Sequence, residues 1–199
     1  MLWNRINIEN ADISLVDSKP CYLIIDCYCK INITLSKDII SKLVIISNND
    51  YDINLKLDNS SNLIVNSINK DNNVNVNIFL KEGSTITYNH STLSLSDSIN
   101  NFNIHHLENN SISNINNNGI NRNNGKLYFN IDGVINSSLH NITCNQKSKI
   151  INYNNGNSKI IPNLIINSND IIANHSAYIG KIEDEEKFYL KTRGINEWW

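Results

Sequence analysis

From Ile13 to Ile172 the chain alternates short apolar runs with Asn, Ser and Asp, and the runs themselves have a period of two. Ile31-Asn32-Ile33-Thr34-Leu35, Val74-Asn75-Val76-Asn77-Ile78, Leu93-Ser94-Leu95 and Leu127-Tyr128-Phe129-Asn130-Ile131 are the clearest cases. Successive side chains of a strand point to opposite faces, so each run predicts a strand with one buried face. No stretch of this region carries ten or more residues at a 3.6 period, which argues against an α/β fold with crossover helices. A sandwich or barrel and a β-solenoid remain. A sandwich would place hairpin dipeptides throughout, yet Asn118-Gly119, Asn124-Gly125, Asp132-Gly133 and Asn155-Gly156 all fall late in the chain. A solenoid stacks like residues on neighbouring coils, and stacked Asn side chains satisfy one another's amides. The pattern therefore favours an all-β solenoid, although no fixed repeat length is visible.

The texture changes at Glu183-Asp184-Glu185-Glu186-Lys187-Phe188-Tyr189-Leu190-Lys191-Thr192-Arg193-Gly194-Ile195. Acids lead, bases trail and a glycine follows, which predicts a short helix whose charges complement its dipole. Gly194 fits the left-handed position after the helix, with Ile195 placed to touch Leu190. The expected organisation is a β-helix core over 1–182 and a short helix and tail over 183–199.

The chain has 199 residues, enough for one domain with a real core, and a formal net charge of −2. No broad basic field is available for phosphate contacts, so nucleic acid is not an expected partner. Roughly one residue in five is Asn; the interleaved Ile, Leu and Val argue against disorder, and an AT-biased genome would produce the same excess. Cys21, Cys27, Cys29 and Cys144 form neither a CxxC pair nor a zinc-type spacing, and Met1-Leu2-Trp3-Asn4-Arg5 leads into no apolar signal region. Apolar runs such as Leu43 to Ile46 are too short to span a bilayer. The cytosol is the expected compartment, or a plastid-type organelle in a eukaryotic source.

The run from Pro162 through Leu164, Asp170, Ala173, His175 and Gly180, followed by Phe188-Tyr189-Leu190, Arg193-Gly194 and Ile195, resembles the C-terminal signature of the SufB/SufD family of iron-sulfur cluster assembly proteins. Upstream, His106 to Ser113 with Gly119, Gly125 to Gly133, and Gln146 resemble the last β-helix turns of that family. The SufB branch looks like Gln-Cys-Asp where this chain has Gln146-Lys147-Ser148, and like His-Glu where it has His175-Ser176; Leu190 is likewise similar to SufD. The resemblance implies a right-handed parallel β-helix that pairs with a SufB-like subunit, binds the SufC-like ATPase and helps build a transient iron-sulfur cluster at the subunit interface. Family members carry a helical segment after Arg-Gly-Ile through which SufC docks. Here Asn196-Glu197-Trp198-Trp199 follows, so SufC binding rests on less.

His175 is the leading site candidate, because imidazole can ligate iron and the family's SufD-type histidine falls at this position. Its alternative reading is a histidine held by hydrogen bonds at a coil corner. A lone histidine cannot hold a cluster, so further ligands would come from a partner. Cys144, on the strand before Gln146, is a second candidate acceptor of sulfur or iron, against the reading of a core cysteine. Cys27 and Cys29, two apart, would share one strand face and are read as core residues. Adjacent His105 and His106 would face opposite sides and read as structural. Trp198 and Trp199 are either packed on the solenoid end or an anchor for another chain. No GxxxxGK[ST], HExxH or GxSxG motif is present, so the chain is expected to bind no nucleotide itself and to have no catalytic residues. A carbohydrate-active β-helix would need clustered acids that are missing between Asp71 and Glu183. A structural or degenerate β-solenoid without assembly activity is the alternative function.

Overall fold

The computed structural model describes residues 4–6, 9–122, 124–153 and 155–194. The described strands are β1 (Asn4–Ile6), β2 (Asn10–Leu15), β3 (Cys21–Ile25), β4 (Cys29–Leu35), β5 (Ile40–Ser47), β6 (Tyr51–Leu57), β7 (Asn62–Lys70) and β8 (Val74–Leu80). They continue as β9 (Thr85–Ser94), β10 (Ser98–His106), β11 (Ile112–Asn121), β12 (Lys126–Ile135), β13 (His140–Asn152), β14 (Asn157–Ile166) and β15 (Asp170–Lys181), before the helix α1 (Asp184–Thr192). Odd strands form one eight-stranded sheet and even strands a seven-stranded one, each in sequence order and wholly parallel. The chain thus winds from sheet to sheet as a β-solenoid, as the alternation predicts.

The register explains both the core and the missing repeat. Ile31, Ile53, Val76, Phe102, Ile131 and Pro162 stack on successive even strands. All but Pro162 are fully buried or nearly so, and each such side chain contributes about 1.5–3 kcal/mol by leaving water. On the even strands the sequence separation between stacked positions grows along the chain, from 20 at Asp12 and Asn32, through 22, 23 and 26, to 31 at Asp132 and Asn163. On the odd strands it reaches 31 and falls back to 29, so the coil has no fixed period to find.

Turns at one corner stack as well. Asp38, Ser60, Gly83 and Asn110 all have positive φ, and the N–H of each donates to a carbonyl of the following coil, that of Asn59, Glu82, Asn109 and His140 respectively. Glycine occupies the left-handed position in only one of these four turns; Asn and Asp tolerate it better than most residues.

Asparagine ladders run along the outward faces. Asn32 donates to Asp12, Asn54 to Asn32, Asn77 to Asn54 and Asn103 to Asn77 at 2.8–2.9 Å. A parallel ladder links Asn130, Asn101, Asn75 and Asp52, and a third links Asn174, Asn145 and Asn114. In each, Nδ2 donates toward the N-terminal coil. Inward-facing polar residues use other partners: the His90 ring lies between Ser67 Oγ (2.8 Å) and Asn100 Oδ1 (3.2 Å), and the His106 ring between Ser111 and Ser113.

α1 starts where the charge pattern places it. Glu186 accepts the N–H of Glu183, and Gly194, at φ 79°, donates to Lys191 O. The contact expected from Ile195, and both terminal tryptophans, lie outside the described residues. One expectation needs correction: Cys27 does not share a strand with Cys29. It sits in the bend before β4, half-buried, while Cys29 opens the strand and is fully buried.

Candidate functional site at the open end

Parallel register puts like faces together, so the buried alternation of β13 determines which β15 residues face inward. Ile142, Cys144, Gln146, Ser148 and Ile150 are buried, and they pair with Ile171, Ala173, His175, Ala177 and Ile179. On β14 the inward set is Ser158, Ile160, Pro162, Leu164 and Ile166. These two rows form the last described layer of the interior, and among the described residues nothing lies over it. Hence Ile160, Pro162 and Leu164 are half-buried, Ile179 is 44% exposed, and His175 is exposed although it faces inward. Among the described residues β14 and β15 are also the terminal strands of their sheets, each with a free edge.

The column that ends at His175 changes character on the way. Leu43, Val65, Tyr88 and Ile115 are followed by Gln146 and then His175. The neighbouring column runs Ser41, Leu63, Ile86, Ser113, Cys144 and Ala173. Cys144 therefore lies one coil beneath the open layer under Ala173, fully buried, and desolvation raises its thiol pKa despite a contact with Ser113. Burial pushes the Cys29 thiol up to about 11. Both are poor nucleophiles in this setting.

The signature residues separate into two groups. Pro162, Ala173 and His175 line the open layer. Asp170 begins β15 and accepts the N–H of Asn141 at 3.2 Å, and Gly180 lies near its end beneath the Tyr178 ring. Phe188 and Tyr189, 69% and 58% exposed, belong to α1, where Arg193 sits 5.3 Å from the Tyr189 ring centroid. His105 and His106 face opposite ways as expected: His106 is buried, and His105 stacks outside on Phe79 at 5.2 Å. Gln146 carried no role in the sequence reading. Its signal would have been a polar residue at an inward position, visible only once the register is known.

Among the described residues no three His, Cys, Asp or Glu side chains gather as a metal site. The open layer offers one imidazole, with the Cys144 thiol below it. No described helix is long and apolar enough to cross a membrane.

A parallel β-solenoid with an open, histidine-bearing end is the class these features define. Residues 59–198, from the turn before β7 onward, match the family described as SUF system FeS cluster assembly, SufBD core domain, and the chain belongs to that family. No curated protein sequence matches it.

Proposed function

We propose that the chain is a SufD-like scaffold subunit of a SUF assembly complex, which pairs with a SufB-like subunit through its open end and contributes His175 to a transient iron-sulfur cluster at that interface. The observation that carries this reading is the placement of His175, an inward-facing residue left exposed between two free strand edges. Free edges of β14 and β15 have unpaired backbone donors and acceptors suited to another strand. The SufD assignment is supported by Lys147 and Ser176, which are register partners here and stand where SufB resembles Cys and Glu. The chain supplies no catalytic residue and no nucleotide site in this reading; ATP turnover belongs to a SufC-like partner.

Co-expression with a SufB-like subunit tests the proposal. The pair should co-purify and acquire iron and sulfide on reconstitution, and the chain alone should not. His175→Ala should leave pairing intact and reduce cluster yield several-fold. A His175→Ala complex that loads normally would overturn the assignment and favour a solenoid without assembly activity.

A further inference from the structure

Gln146 is the residue beneath His175 in its column, 3% exposed. Its Nε2 donates across the interior to the backbone carbonyl of Asn163 on β14 at 3.1 Å. That bond sets the orientation of the amide, since a flipped group would bring two acceptors together. The other atom, Oε1, is buried and has no hydrogen-bond partner. An unpaired buried acceptor is costly because it has given up water without gaining a partner, so it calls for a donor. Gly133, beside the amide, has no side chain to offer one, and the Cys144 thiol is engaged with Ser113. His175, the register partner of Gln146 on the uncovered side, carries a ring N–H that could supply one.

An imidazole that gives one nitrogen to a metal keeps an N–H on the other, and that N–H needs an acceptor to hold the ring in one tautomer and one orientation. We infer that Gln146 is the positioning residue for His175, its Oε1 accepting the ring N–H so that the second ring nitrogen faces the open end. This inference rests on the proposed ligand role of His175 for its functional meaning, but the contact itself does not. The chain of support then runs from Asn163 on one sheet through Gln146 to His175 on the other, and couples the imidazole to both strands of the open edge.

Nitrogen-15 NMR of the histidine-labelled chain, in alkaline buffer where imidazoles are neutral, reads the tautomer directly. The wild-type His175 should show one dominant tautomer. Gln146→Leu should raise the minor form at least threefold, and Gln146→Met, of similar length and without an amide oxygen, should do the same. A crystal structure of the wild-type chain provides a readout independent of any variant: a ring nitrogen within hydrogen-bond distance of Oε1 is expected. A water in that place, or equal tautomer ratios in wild type and Gln146→Leu, would overturn the inference. A tautomer bias alongside normal cluster loading by His175→Ala would instead sink the ligand role and leave the contact standing.

Discussion

Gly133 on β12 faces the thiol of Cys144 on β13 across the interior so closely that a Cβ at Gly133 would lie 2.8 Å from Cys144 Sγ, and 2.9 Å from Gln146 Nε2. Neither neighbour is free to retreat, because both are buried and Gln146 is tied to Asn163. Gly133→Ala should therefore destabilise the chain by about 1–2 kcal/mol despite its gain in unfolded-state entropy. Cys144→Ala removes the obstructing sulfur, so the double variant should be less destabilised than the sum of the two by at least about 0.5 kcal/mol. Urea denaturation of the four proteins measures this, and additive losses would show that the contact is not tight.

Acid should weaken the fold before its carboxylates titrate. Burial holds the imidazoles of His90 and His106 down to about 4 from an ordinary 6.5, His105 adding to the effect on His106. His90 is enclosed by Ser67, Asn100, Phe102 and Phe129, none of them ionisable. The unfolded chain takes up these protons near 6.5 and the folded chain resists until about 4. Stability is then fully present above the unfolded value and is lost as the pH falls toward the folded one. At pH 5 the loss is roughly 2 kcal/mol per histidine. Urea midpoints at pH 7.5 and pH 5 should differ accordingly, and His90→Asn should remove about half of that difference whatever its cost at neutral pH. An unchanged pH dependence in the variant would refute the assignment.

The strands were legible because alternation is local: Ile31, Val76 and Ile131 each announce a buried face within a five-residue window. The coil length was not, because it changes from 20 to 31 residues along the even strands, and self-similarity at a changing interval leaves no period. His175 was legible as a motif residue, but its exposure depends on an uncovered layer, a long-range property that no local window reports. The same limit applied to Cys27, whose spacing from Cys29 is right for a shared strand face; the bend at the start of β4 separates them.

The direction of the asparagine ladders makes a last expectation possible. In the longest ladder each Nδ2 donates to the coil before it, so each Oδ1 waits for a donor from the coil after it. A carboxylate can begin such a ladder, as Asp12 does for Asn32, because it need only accept. It cannot continue one. Asp132 follows Asn103 in register and accepts Nδ2 of Asn163 at 2.7 Å, but it has no hydrogen to give to Asn103 Oδ1. Asp132→Asn should keep the bond to Asn163 and add one to Asn103, raising stability by about 0.5–1 kcal/mol, or roughly 1–4 °C in melting temperature for a chain of this size. Asn77→Asp should do the reverse. It keeps the acceptor for Asn103 and loses the donor to Asn54, at a cost of about 1 kcal/mol. Both exchanges are nearly isosteric, but they move the net charge by one unit in opposite directions, so the melts are compared at high salt, where exposed charge is screened. Thermal melts of opposite sign are expected, and two shifts of the same sign would show that the ladders follow the stacking without contributing to it.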